Sequence, residues 1–247
     1  MKRWQVIAAA VLAALSITLY LVDYLIFRSP AYILRNVIES MAVLPLNFLL
    51  VTLVIERVLE EQEKAAMLQK MNMVIGAFFS EVGSGLLRYL NQFDANCPDV
   101  RSFLLIQTGW SEKDFDAATA ALKGYQHDLQ STPETLTLLK DFLPSKRGFL
   151  LRLLENPNLL EHEAFTDLLR AVFHLTEELT YRNDVRQLPA ADYAHLRGDM
   201  ARAYVLLIAE WLAYMRYLRA SYPYLYSLAV RLNPFDPAAQ AEIADKG

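Results

Sequence analysis

A single cysteine, Cys97, leaves no partner for an intrachain disulfide and cannot supply a thiolate cage for a metal. Glycine is sparse at eight residues, and the phosphate-binding pattern G-x-x-x-x-G-K-[ST] is absent. Gly83-Ser84-Gly85 lacks both a third glycine and a preceding strand, which excludes a nucleotide site of that type. His162-Glu163 has no second histidine to complete H-E-x-x-H, and no G-x-S-x-G occurs. No cofactor is expected on these grounds, and nothing commits the chain to catalysis. Alternating β-branched runs and internal repeats are also missing, which points to an all-α protein. A basic surplus is lacking too. From Glu56 onward 20 Lys and Arg face 26 Asp and Glu, so polyanions are repelled and a general nucleic-acid binder is excluded.

What is present is concentrated at the start. Val6–Phe27 and Ile33–Ile55 are long apolar runs separated by a few polar residues. About 20 apolar residues in a helix span about 30 Å of hydrocarbon, so the spacing predicts a transmembrane helical hairpin over residues 1–55. Lys2 and Arg3 ahead of the first run resemble a signal-peptide front, but the run is long and no A-x-A-like cleavage site follows. The second run carries Arg35 and Glu39 at i,i+4, with Pro45 and Asn47 further on. It either spans as one helix with that ion pair inside, or begins with residues 31–40 lying at the interface. Lys2, Arg3, Arg57, Lys64 and Lys70 outnumber Arg28 and Arg35, which places both termini in the cytoplasm.

Reading alternately every third and fourth residue gives Val51, Val54, Val58, Glu61, Ala65, Leu68, Asn72, Ile75, Phe79, Val82, Leu86 and Tyr89. This is a heptad seam on a helical stalk, residues 56–90, that leaves the bilayer. Asn72 at an a-type position suggests a parallel homo-oligomer held by Val58, Ala65, Leu68, Asn72 and Ile75. The same stripe could instead pack on the chain's own helices, and Gly76, Ser80 and Ser84 form a small-residue row that permits close approach there.

Residues 91–237 read as a cytoplasmic helical domain, followed by a tail over 238–247. Ser111 with Asp114 predicts a helix start running to about Gln130, and Thr132-Pro133 another ending near Pro144. Asn156-Pro157 interrupts again. The longest soluble helices are expected over Glu161–Arg182 and Pro189–Arg219. Tyr204–Tyr217 is apolar but short and contains Glu210, which suits a buried core helix.

MNMVIGAFFSEVG at Met71–Gly83 and YPYLYSLAVRLNPFDP at Tyr222–Pro237 resemble segments of an uncharacterised group of bacterial inner-membrane proteins with two transmembrane helices and a helical cytoplasmic region. The resemblance implies a bacterial inner-membrane location and supplies no activity.

One constellation could carry chemistry. His174 with Glu178, and His195 with Asp199, are i,i+4 pairs on consecutive helices at similar distances from the connecting turn. With Glu177 and Glu163 they could offer two imidazoles and several carboxylates to one metal. The Glu-x-x-His pair of dinuclear bundles is absent, and surface histidines beside carboxylates are ordinary. Three functions follow: a membrane-anchored scaffold or signalling adaptor that oligomerises and binds a cytoplasmic protein partner, a channel or transporter subunit depending on Arg35, Glu39 and Asn47, or a membrane-tethered metal-binding protein.

Overall fold

The computed structural model describes residues 3–27, 30–159 and 162–242, without the side chains of 3–6, 8, 9, 27, 30–33, 65 and 158. Expectations placed on Lys2, Arg28, Glu161 and residues 243–247, and on the side chains of Arg3 and Ala65, lie outside the described residues. The described residues are all-α, with no strand and a single antiparallel bridge between Asp94 and Leu129. The chain divides into two compact units, Met1–Ala65 and Ala66–Gly247.

The first unit contains α1 (Arg3–Phe27) and the greater part of α2 (Pro30–Phe78). Nearly all of its described large apolar side chains, Leu12, Ile17, Leu44 and Phe48 among them, are exposed. Arg35 Nε donates to Glu39 Oε1 at 2.8 Å, the i,i+4 pair read from the sequence. Among the described residues one helical stretch, Leu34–Phe93, is long and apolar enough to cross a membrane, and its apolar window is unburied; the apolar stretch Ala10–Ile26 is shorter.

The second unit takes the end of α2, a π-helical turn (Phe79–Gly83), α3 (Ser84–Phe93), α4 (Cys97–Leu104), α5 (Glu112–Lys123), α6 (Pro133–Leu154), a 3-10 turn (Pro157–Leu159), α7 (Glu163–Tyr181), α8 (Ala190–Ser221) and α9 (Pro223–Arg231). α6 packs along α7 and α7 along α8, while α3, α5 and α9 lie against α8. The cause is visible in α7: Phe165, Leu168, Leu169, Val172, Leu175 and Leu179 recur at helical spacing and are buried, each contributing about 1.5–3 kcal/mol. α8 supplies Leu207, Ile208, Trp211 and Met215 to the same core, so Tyr204–Tyr217 lies in a buried core helix.

The seam read from Val51 to Tyr89 divides. Val51, Val54, Val58 and Leu68 are exposed, whereas Ile75, Phe79, Val82 and Leu86 are buried in the second unit's own core. Ile75, expected on an oligomer surface, is taken up by its own chain, because periodicity defines an apolar stripe and not what covers it. Asn72 is half-buried and donates to Leu68 O at 2.9 Å. Gly76, Ser80 and Ser84 face α8 around a small cavity with Trp211 and Tyr214. Gly83 is required by its surroundings: a Cβ there would meet Phe79 Cδ1 at 2.6 Å and Phe78 Cε1 at 2.8 Å.

Two helix ends differ from expectation. α5 starts at the Ser111–Asp114 box but ends at Lys123, with Gly124 as its cap. α6 starts at Thr132-Pro133 and runs through Pro144 to Leu154, because Leu150 and Leu153 beyond the sequence break both bury in the core. α9 closes in the strap Asn233–Pro237. Asn233 Nδ2 donates to Leu104 O at 2.8 Å, Asn91 Nδ2 to Pro234 O at 2.9 Å, and Tyr204 Oη to Asn91 Oδ1 at 2.8 Å. Phe235 is buried against Trp211.

Candidate metal centre

Four-residue spacing on two adjoining helices sets up polar rungs between α7 and α8. His174 faces Asp199, Glu178 faces His195, and one turn further Arg182 faces Asp192. All four residues singled out from the sequence as ligands meet on this edge. Glu177, considered with them, pairs instead with Arg147 at 3.0 Å, and Glu163 stays in the first turn of α7.

Asp199 is the pivot. Its side chain is 3% exposed, and Oδ1 accepts from Arg202 Nη1 at 3.0 Å. Oδ2 is buried and receives no hydrogen bond. That oxygen lies 3.4 Å from His174 Nε2 and 3.3 Å from His195 Nε2. An N–H···O bond has its usual range at about 2.7–3.2 Å, so both imidazoles stand slightly too far off and neither donates. The spacing has another reading. Ligand atoms about 2.0–2.1 Å from a tetrahedral metal lie about 3.3–3.4 Å from one another, which is the edge of that tetrahedron. Glu178 extends the set, with Oε2 3.6 Å from His195 Nε2 and Oε1 3.9 Å from His174 Nε2. Single ligand atoms of His174, Glu178 and His195 all lie within 4.8 Å of one another.

The surroundings hold these groups in place. Arg182 forks both oxygens of Asp192, at 2.6 and 2.8 Å, and also binds the Glu178 carboxylate and carbonyl. The Arg182 hydrogen bond holds the Glu178 carboxyl below its usual range, with smaller contributions from the two histidines, so Glu178 stays anionic at neutral pH. Arg182 likewise lowers Asp192, and Lys140 Nζ caps the end of α7 through the carbonyls of Leu179 and Arg182. The imidazoles are 46% and 51% exposed, which leaves a path for an ion from solvent. Two imidazole nitrogens with a carboxylate, Glu178 or Asp199, suit a borderline divalent ion such as zinc. Arg182, Asp192 and Arg202 escaped the sequence reading; extending the same rung spacing by one turn would have found the first two.

Residues 1–59 match the family described as the MJ1433 N-terminal helical domain, and residues 67–231 match the C-terminal helical domain of the uncharacterized protein MJ1433. The protein of that name from Methanocaldococcus jannaschii is 44% identical over 235 residues, covering 95% of this chain and 94% of its own length. No solved structure matches. The expected resemblance to an uncharacterised helical family thus holds at that level. Neither a bacterial origin nor a membrane location is carried by the match, since the relative is archaeal and its name mentions no membrane.

Proposed function

We propose, for a chain that belongs to the MJ1433 family in both of its parts, that it is a membrane-anchored helical protein whose Ala66–Gly247 unit holds a divalent transition-metal ion on His174, Glu178, His195 and Asp199. The observation that carries the metal is the buried, unpartnered Oδ2 of Asp199 facing two imidazole nitrogens at tetrahedral-edge spacing. Leaving such an atom unpaired costs about 1–3 kcal/mol, and more when charged, which a bound cation removes. The ion would join α7 to α8 as a cross-link. Support for the anchor comes from the exposed apolar side chains of α1 and α2, which water would not tolerate in such density. The excess of Lys and Arg at the outer ends of the two runs favours cytoplasmic termini.

A second reading is the scaffold that oligomerises and binds a cytoplasmic protein. Exposed Val58 and Leu68 on the charged stretch of α2 favour it, because a second copy laid along that stripe would cover them. Ion conduction draws less support, since Arg35 and Glu39 are closed on each other.

The test is full-length protein in mild detergent, loaded with zinc, desalted and analysed for metal. One ion per chain, lost on His174→Ala and His195→Ala with helicity retained, is expected. Metal content equal in wild type and both variants would overturn the reading.

A further inference from the structure

The strap Asn233–Pro237 does more than cover the core. It forms one wall of a cavity of about 360 Å³ whose other lining includes Arg88 and Gln92 of α3 and Arg101 of α4. Asn91, Tyr204 and Asn233 fix that wall by the buried hydrogen bonds described above, so the cavity is rigid on the strap side.

Its two guanidinium groups are unlike the ion-paired Arg182. Among the described residues neither Arg88 nor Arg101 has a carboxylate oxygen within 4.0 Å. Arg88 reaches the carbonyl of Leu232 at 3.3 Å. Arg101 Nη2 finds only the Cys97 sulfur at 3.9 Å, and its Nε is buried with no hydrogen bond at all. Asp236 also lines the cavity, but its Oδ1 is engaged by the backbone N–H of Ala238 at 2.9 Å. The closed-off Nε cannot meet a ligand, but the terminal guanidinium nitrogens of Arg101 and Arg88 line the cavity without a carboxylate partner, and a phosphate oxyanion is the group whose charge and acceptors match them.

We propose that the cavity between Arg88, Arg101 and the Asn233–Pro237 strap binds a phosphate group, carried by a small soluble ester or by a lipid headgroup. Arg101 holds it through its terminal guanidinium nitrogens from the half-buried side and Arg88 from the open side. Gln92 is placed to donate to the remaining oxygens. The site is separate from the α7–α8 centre and stands whether or not that centre holds metal.

Full-length protein in uncharged detergent, stripped on a chelating resin, is titrated by calorimetry at fixed ionic strength with inorganic phosphate and, separately, with dispersed short-chain phosphatidic acid. Saturable 1:1 binding to at least one is expected, weakened at least tenfold by Arg101→Met and by Arg88→Met, and unchanged by Arg186→Gln on the distant surface. Binding of phosphate itself identifies a soluble ligand, and binding of phosphatidic acid alone identifies a headgroup. Should the methionine variants misfold, Arg101→Lys keeps the charge without the fork and is expected to weaken binding. No saturable binding to either probe, or binding that none of the folded Arg88 and Arg101 variants alters, would overturn the proposal.

Discussion

Replacing Asp199 by Asn separates a metal ligand from a structural carboxylate, because the two roles predict opposite signs. The variant keeps Oδ1 as acceptor for Arg202 and puts an amide donor where Oδ2 stood between the imidazoles. Without metal the wild type carries a buried oxygen with no donor. The amide can donate to a histidine nitrogen, so Asp199→Asn should stabilise the metal-free protein by about 1 kcal/mol. With free zinc at about 100 times its Kd the wild type gains about 2.7 kcal/mol. A unit of this size shifts its Tm by about 2–4 °C per kcal/mol, so zinc should raise the wild-type Tm by roughly 5–11 °C. The variant should scarcely respond. Thermal denaturation of both proteins in detergent, with zinc and after chelation, gives four Tm values whose order should cross between conditions. A variant less stable than wild type in both, with no zinc response in either, would show that Asp199 serves packing and ion pairing alone.

Arg182→Met should lower stability at pH 7 by about 2–4 kcal/mol in chemical denaturation, since it strands Glu178 and Asp192. Both carboxyls are lowered by Arg182, so their contribution is present above about pH 4 and lost as pH falls through their native values; the variant should lose that acid-limb dependence. Glu210 behaves oppositely. Burial raises its carboxyl against a smaller counter-effect from His162, so stability falls as pH climbs from about 4 toward the native value. Glu210→Gln should therefore stabilise the protein at pH 7.5 and be neutral near pH 4, read from denaturant midpoints. Gly83→Ala should cost about 1–3 kcal/mol because two packed rings must move, whereas Gly76→Ala needs only a swing of the Tyr214 hydroxyl, 2.9 Å from its Cβ, and should change the Tm little. Val58→Glu with Leu68→Glu should reduce the mass measured by light scattering if a second copy covers that stripe; an unchanged multimer would exclude it.

Much of the architecture was legible because local rules govern it. The Ser111 and Thr132 starts follow from side chains that accept the first free N–H groups, and Asn156-Pro157 ends α6 by removing a donor. The metal candidates were legible because 3.6-residue periodicity puts His174 and Glu178 on one face and His195 and Asp199 on another. What sequence could not carry was the identity of each neighbour. Pro144 looks like a terminus until its downstream leucines are seen to bury, and Ile75 looks like an oligomer contact until the core is seen to claim it. The π turn at Phe79–Gly83 is likewise a product of packing, where Phe78 and Phe79 crowd the backbone of Gly83. Arg88 and Arg101 share a cavity only because a segment more than a hundred residues later folds over them.

That late closure bears on biogenesis. A ribosome delivers Asn91 and Leu104 long before Asn233 and Pro234, and Tyr204 appears in between. Until the strap emerges, Asn91 and the Leu104 carbonyl lack the partners they have in the finished fold. Release of a chain shortened before Asn233 would leave them permanently without those partners, with Trp211 stripped of Phe235, so such fragments should be recognised and degraded by quality-control proteases while the complete product survives.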